Sequence, residues 1–325
     1  MPTRNRAQWL RLSLASVLEQ TYEDFAVIVS DNASEDETRD VVASFDDPRI
    51  TYVRQSEDVG LVRNHNDVLG RVESEYSLIL PDDDIAYPEL LEATVEILDR
   101  FPRAGMVHSN LDMIDPPGDV VAPSVNWTLG LTADTVESGS GFIRESMKYS
   151  CRVCASSALM RMAALPRGFF DQGDFPPVDL GLWLRMALDW DMVFMARTLC
   201  AYRIHESSHS SAFGETIASG YRLDTRLVRR LEEVKLKFVD AHADRLEDPQ
   251  ELRRLARASV RRELLVAARQ TTLPERRLRP TASALGRAAL EDPRIILTTG
   301  AWKLLGGSMI GPRLTAKLRR RGARA

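Results

Sequence analysis

Two spacings of apolar residues alternate along the first two hundred positions. Trp9, Leu12, Leu14, Val17 and Leu18 recur as on one side of a helix, which the polar pair Gln20-Thr21 closes. Residues 25–29 form a short β-branched run, the mark of a buried strand. The polar turn at 30–38 ends it. Ser34 with Glu37 three positions on predicts a capping box for a helix through Val41, Val42 and Phe45. Further strands are predicted at 50–53, 77–80, 105–109, 156–162, 192–195 and 199–203, and further helices at 61–69, 89–101, 141–147 and 178–188. Residues 1–6 and 116–140 have the punctuation of loops, the second long enough for a lid or an acceptor loop. Strands alternating with helices at this interval imply βαβ units and a mostly parallel sheet flanked by helices.

From about residue 219 the alternation stops. Leu223, Leu227, Val228, Leu231, Val234, Leu236 and Val239 keep a helical period among charges, and Leu252, Leu255, Val260, Leu264 and Leu265 continue it beyond Pro249. The chain therefore divides into an α/β domain over residues 1–215 and an α-helical carboxy-terminal extension over residues 216–325.

With 325 residues, 44% of them hydrophobic, the chain has the size and composition of a soluble globular protein of about two domains. A net charge of -4 gives no basis for nucleic acid as a partner. The basic tail (Arg313, Lys317, Arg319, Arg320, Arg321, Arg324) reads either as a solvated end or as a contact to anionic lipid. Cys151, Cys154 and Cys200 are an odd set; the lone C-x-x-C reads as buried thiols in a reducing cytoplasm rather than a metal or redox pair. No apolar leader opens the chain, and no run reaches the ~18 apolar residues of a spanning helix. The best candidate, residues 295–310, is interrupted by Lys303 and glycines. The expected location is cytoplasmic, with peripheral membrane contact at the inner face through the basic end.

Asp82, Asp83 and Asp84 follow directly on the strand predicted at 77–80. In open α/β sheets, ligands bind outside the carboxyl ends of the strands. Three adjacent carboxylates repel one another unless a positive group lies among them, and Mg²⁺ or Mn²⁺ prefers such oxygen donors. The alternative is a solvated acidic turn ahead of the next helix.

The order of motifs resembles family 2 glycosyltransferases, with the GT-A Rossmann-like fold, over about residues 2–210. Pro2-Thr3-Arg4-Asn5-Arg6 stands where the family has Pro-Thr-Tyr-Asn-Arg, and Gln20-Thr21-Tyr22-Glu23-Asp24-Phe25 is a familiar family spelling before the second strand. The Asp-rich turn is Asp31 to Thr38. Asp58-Val59-Gly60 with Asn64 and Asn66 matches the Gly turn and helix. Pro81-Asp82-Asp83-Asp84 matches the Asp-x-Asp motif, Val178-Asp179 the Glu-Asp motif, and Tyr202-Arg203-Ile204-His205 the late Tyr-Arg-x-His.

The resemblance implies an inverting, metal-dependent transfer from a nucleoside-diphosphate sugar, UDP- or dTDP-linked, to an acceptor hydroxyl or amine on a glycan, a lipid-linked carrier or a small molecule. It implies Asp83, with Asp84 and His205, as ligands of Mg²⁺ or Mn²⁺, a Lewis acid for the departing diphosphate. Asp82 would orient the site or contact ribose. Asp31 would accept from the imide N–H of the base, with Pro2, Thr3, Asn5, Arg6, Asn32, Arg63 and Asn66 completing the nucleotide-sugar contacts. Asp179 would be the general base, supported at a helix start by the dipole.

Four features depart from the family pattern. The first strand before Pro2-Thr3 is missing. Pro81 replaces the first Asp of the metal motif. His65 stands where many relatives carry Arg, and Gly181 where many carry a second acidic residue. Two other classes stay in view: a non-catalytic sugar-nucleotide-binding or assembly protein of the same descent, and a nucleotidyltransferase, which would need a Gly-rich basic phosphate loop that residues 1–6 do not offer.

Overall fold

Neighbouring residues on the central strands are buried in opposite directions. The computed structural model describes residues 1–128, 131–149, 151–175, 177–205, 216–217, 220–221 and 225–272. Its strands are β1 (Pro2–Thr3), β2 (Val27–Asp31), β3 (Ile50–Arg54), β4 (Tyr76–Leu78), β5 (Ile85–Ala86), β6 (Ala104–Ile114), β7 (Val120–Val125), β8 (Thr135–Glu137), β9 (Leu159–Arg161), β10 (Asp191–Arg203), β11 (Thr216–Ile217) and β12 (Gly220–Tyr221). Its helices are α1 (Ala7–Leu18), α2 (Thr38–Ala43), α3 (Leu61–Leu69), α4 (Leu90–Arg100), α5 (Gly139–Lys148), α6 (Val178–Met186), α7 (Thr225–Ala241) and α8 (Pro249–Thr272).

Met106, Met160 and Met192 belong to one apolar cluster, while their neighbours Val107, Leu159 and Val193 belong to a second. A strand apolar on both faces has to be covered on both. Leu10 and Leu14 of α1, Val41 and Val42 of α2, and Leu90 and Leu98 of α4 cover one face. Val62 and Leu69 of α3, Phe142 of α5, and Trp183 and Leu184 of α6 cover the other. Helices α7 and α8 thicken this second layer through Leu231, Val234, Phe238, Leu252 and Ala256. The buried Lys235 of α7 donates to the Tyr149 carbonyl and, at 3.2 Å, to Ser259 of α8.

Strands β1, β2 and β3 form a parallel sheet in that order. A second sheet runs β4-β9-β6-β10-β5, with β7 on β6 and β8 on β10. The two longest ladders, β2–β3 and β6–β10, are parallel. The α/β class is therefore as expected. The first strand is a two-residue ladder, Pro2 against Ser30 and Thr3 against Asp31.

Three local expectations are corrected. The two late strands are one, β10; its pairing shifts register between Met195 and Cys200, where exposed Arg197 breaks the apolar run without ending the strand. Residues 116–140 include β7 and β8, whose exposed Val120, Val121 and Val136 among Pro and Gly hide an edge-strand pattern. The capping box does not form. Ser34 accepts from the Asn5 amide at 2.9 Å, and Asp36 accepts from the Thr38 amide at 3.1 Å at the start of α2. The basic tail and residues 295–310 lie outside the described residues. Among the described residues no helix is long and apolar enough to cross a membrane.

Candidate active site

The polypeptide leaves the β4 ladder after Leu78, buries Ile79 and Leu80, and turns at Pro81. A polar stripe along α1 holds the acidic turn and the short strand β5 beyond it. Arg6, Trp9, Ser13, Ser16 and Gln20 are spaced by three and four residues, so they share one side of the helix and its ends. Ser13 donates to the Pro81 carbonyl at 3.0 Å, Ser16 accepts from the Ala86 amide at 3.1 Å, and Gln20 donates to the Tyr87 carbonyl at 2.7 Å. Each such bond contributes about 1 kcal/mol, and together they fix residues 81–87 against α1.

At the upper end of the stripe, Arg6 Nη1 lies 2.6 Å from Asp83 Oδ2 and 3.2 Å from Asp82 Oδ1. His205 Nε2 meets the same Asp83 Oδ2 at 3.0 Å. Trp9 stacks on the His205 ring at 5.3 Å between centroids, and the Arg203 guanidinium lies 4.8 Å from the Trp9 centroid. Thr3, Arg6, Asp82, Asp83 and His205 are thus brought together.

The three carboxylates differ electrostatically. Burial, then repulsion from Asp83, pushes Asp82 up to about 6, against the pull of Arg6 and Thr3. Burial also acts to raise Asp83, but His205 and Arg6 outweigh it and hold this carboxyl below the usual range. Burial and Asp83 hold Asp84 well above it. Asp84 corrects the expected ligand set. One of its oxygens takes the Ser156 hydroxyl and the other the Arg203 amide at 2.9 Å. It braces the turn from within.

The donors that remain fit a hard divalent cation. Asp83 and His205 bring a carboxylate oxygen and an imidazole nitrogen to one point, a set suited to Mn²⁺ or Mg²⁺. The Thr3 hydroxyl beside Asp82 is buried without a well-formed hydrogen bond. Among the described residues no group of three His, Cys, Asp or Glu side chains is placed to hold a metal. A cation here would complete its shell with substrate phosphates and water, the usual habit of Mg²⁺.

Most of the other expected nucleotide contacts stitch loops together. Asp31, 1% exposed, accepts from the Ser34 amide at 2.8 Å and from the Tyr52 hydroxyl at 2.5 Å. Its carboxylate is occupied within the protein rather than open to a base. Asn5 accepts from the Glu35 amide at 2.7 Å, and Asn32 accepts from the Val59 amide at 2.9 Å. The Asn66 amide pairs twice with the Phe170 backbone, both bonds 2.9 Å, and so ties α3 to the loop before α6. Pro2 is buried in the ladder beside Ser30, and Arg63 is exposed on α3.

Asp179 lies half-buried in the first turn of α6. Burial raises its carboxyl, while the Leu180 amide at 2.9 Å and the Cys151 thiol at 3.6 Å oppose the rise. Cys154, three residues on, contacts Ser156 at 3.7 Å, and Ser156 holds Asp84. Residues 151–156 therefore link the candidate base to the acidic turn. Gly181, two residues further along α6, has no room for a side chain: a Cβ there would fall 1.9 Å from the Asp174 carboxylate, which pairs with Arg185 at 3.0 Å and Lys237 at 2.8 Å. Sequence reasoning missed Ser13, Ser156, Tyr52 and the stacking role of Trp9. Only the three-four spacing of the α1 stripe carried a signal, for Ser13 and Trp9.

Residues 1–132 match the family model described as Glycosyl transferase family 2. An uncharacterized glycosyltransferase of Rickettsia typhi is 22% identical over 211 residues, 64% of this chain and 63% of that protein. The GalNAc(5)-diNAcBac-PP-undecaprenol beta-1,3-glucosyltransferase of Campylobacter jejuni is 34% identical over 111 residues, 33% of this chain and 35% of that protein. The match thus spans less than two thirds of either relative. Two solved structures share the fold. TarS 1-349 of S. aureus in complex with UDP superposes with a TM-score of 0.58 at 14% identity, over 83% of this chain and 72% of that one. The mannosyltransferase PcManGT of Pyrobaculum calidifontis, in complex with GDP-Man and Mn2+, gives 0.54 at 19% identity, over 95% and 84%.

Proposed function

We propose, from the match of residues 1–132 to the family model described as Glycosyl transferase family 2, that the chain is an inverting, divalent-metal-dependent glycosyltransferase of that family. It takes a sugar from a nucleoside-diphosphate donor, UDP- or dTDP-linked, and passes it to an acceptor hydroxyl or amine on a lipid-linked carrier. The observation that carries this reading is the convergence of Asp82, Asp83, Arg6 and His205 at the end of the strand segment. The C. jejuni relative, named for an undecaprenol-diphosphate acceptor, supports the lipid-linked class. Peripheral contact with the inner membrane face through the basic tail belongs to the same reading.

Asp83 and His205 would hold the cation, which would supply Lewis acidity toward the diphosphate oxygens. Asp82 and Thr3 orient the ribose side of the donor. Trp9 and the α1 stripe keep His205 and the acidic turn in register. Asp179 accepts the acceptor's proton; burial raises its carboxyl and so makes the ionised form a stronger base. A base reaching Asp31 has to replace Tyr52 as the partner of that carboxylate.

The test is transfer from a panel of UDP- and dTDP-sugars to a polyprenyl-diphosphate-linked sugar with Mn²⁺, the anomeric configuration of the product being read by NMR. Wild type should give an inverted product; Asp83→Asn and Asp179→Asn should lose at least about 10²-fold of the rate while remaining folded. Tight UDP binding with no transfer to any acceptor would favour the binding-protein reading instead.

A further inference from the structure

Arg6 occupies the position that a cation would take. Its Nη1 bridges Asp82 and Asp83, and on Asp83 it uses Oδ2, the oxygen that also faces His205. Arg6 and His205 already face both lone pairs of that oxygen, so a divalent ion bound there has to displace one of them, and repulsion between the two cations favours loss of the guanidinium nitrogen 2.6 Å away. The side chain is 14% exposed, and its residue lies just outside α1 with φ -137° and ψ 35°. The guanidinium can therefore leave the carboxylates without unwinding the helix. A planar fork of donors released beside the acidic turn suits phosphate oxygens.

We propose that Arg6 is a built-in placeholder that couples metal binding to nucleotide binding. Without ligands it neutralises Asp82 and Asp83 and keeps the acidic turn assembled. When a nucleoside diphosphate arrives, Arg6 moves from the carboxylates to the diphosphate and vacates Asp83 for the cation. Metal and nucleotide then strengthen each other's binding reciprocally, as linkage requires. This inference rests on the metal-dependent reading above, and it assigns Arg6 a positioning and exchange role rather than a step in the chemistry.

The experiment is calorimetric titration of Mn²⁺ into full-length wild type, Arg6→Gln and Arg6→Lys, each with and without saturating UDP, with folding checked by circular dichroism. Wild type should bind Mn²⁺ about tenfold or more tightly with UDP present than without it. Arg6→Gln should bind Mn²⁺ about tenfold more tightly than wild type in the absence of UDP and lose most of the coupling. Arg6→Lys, which keeps the charge without the fork, should retain weak nucleotide-free binding. If wild type shows the coupling but Arg6→Gln binds nucleotide-free Mn²⁺ no better than wild type, the placeholder role is overturned. If no protein binds Mn²⁺ even with UDP, metal dependence itself is wrong and the exchange falls with it.

Discussion

His205 Nε2 lies 3.0 Å from Asp83 Oδ2 although 122 residues separate the two in the chain. Both side chains are more than nine-tenths buried, and Trp9 stacks on the far side of the imidazole. A ring gripped in this way has little freedom, so its nitrogen is presented at a fixed point beside the carboxylate. His205→Ala should leave Asp83 paired with Arg6 alone and weaken Mn²⁺ binding in the presence of UDP by about 10–100-fold. Trp9→Ala should have a smaller effect in the same direction, since it frees the ring without removing the nitrogen. Titration of Mn²⁺ into the UDP-bound variants checks both, and equal affinities in all three proteins would remove His205 from the site.

The spare volume at Gly181 is taken by the Asp174 carboxylate, which Arg185 and Lys237 hold in place. A methyl group there has to displace a paired, buried anion. Gly181→Ala should destabilise the fold by about 1–3 kcal/mol through overpacking, and Gly181→Glu by more. Urea denaturation followed by circular dichroism reads the difference. Placing an acidic residue at this position should therefore cost stability without adding activity.

How far the residues themselves disclose the site is clearest in α1. Its buried side was legible in Leu14 and Val17, but Leu12, counted with them, is exposed and Trp9 lies on the polar stripe; the bounds of α3 were legible too, since Gly60, at φ +81°, and Gly70 flank it. Asp82, Asp83 and His205, grouped from sequence only through the family resemblance, lie together in the fold. The partners of Ser13, Ser16 and Gln20, however, lie about 70 residues away, and small polar residues inside a helix look locally like ordinary helix surface. Asp84 shows the same blindness from the other side. A third carboxylate in a run reads as a third ligand until Ser156 and the Arg203 amide are seen to occupy it. Strands β7 and β8 escaped because edge strands exposed to solvent lose the alternation that betrays buried ones.

Asp82 gives the acidic turn a pH signature. Its carboxyl sits at about 6 in the folded chain against an ordinary 3.8. Between those values the folded protein keeps a proton that the unfolded chain has lost. The stability that this provides is complete below about pH 4 and disappears as the pH rises through about 6, an effect of about 2–3 kcal/mol. Asp84, also raised, acts in the same sense, and Asp83, lowered, in the opposite one. Asp82→Asn should therefore flatten the metal-free stability profile between pH 4 and 6.5, as measured by chemical denaturation with chelator present. Added Mn²⁺ should stabilise wild type more at pH 7 than at pH 5. A profile equally steep in wild type and Asp82→Asn would show that Asp82 is ionised throughout.

Asp179 offers the corresponding test of the chemistry. A general base works only when ionised, so a carboxyl raised by burial moves the acid limb of kcat to higher pH than an ordinary aspartate would give. The Cys151 thiol donates toward Asp179 Oδ2 at 3.6 Å, stabilises the ionised form and so opposes that rise. Cys151→Ala removes the donor. The acid limb should then shift further upward, while the rate on the alkaline plateau stays near that of wild type. Cys151→Ser places a stronger donor at the same point and should shift the limb downward. Asp179→Asn should lower kcat by about 10²–10⁴-fold at every pH, the range for loss of a general base. If the limb stays in place in both Cys151 variants, the group that titrates is not Asp179; if Asp179→Asn keeps the wild-type plateau, the proton leaves the acceptor by another route.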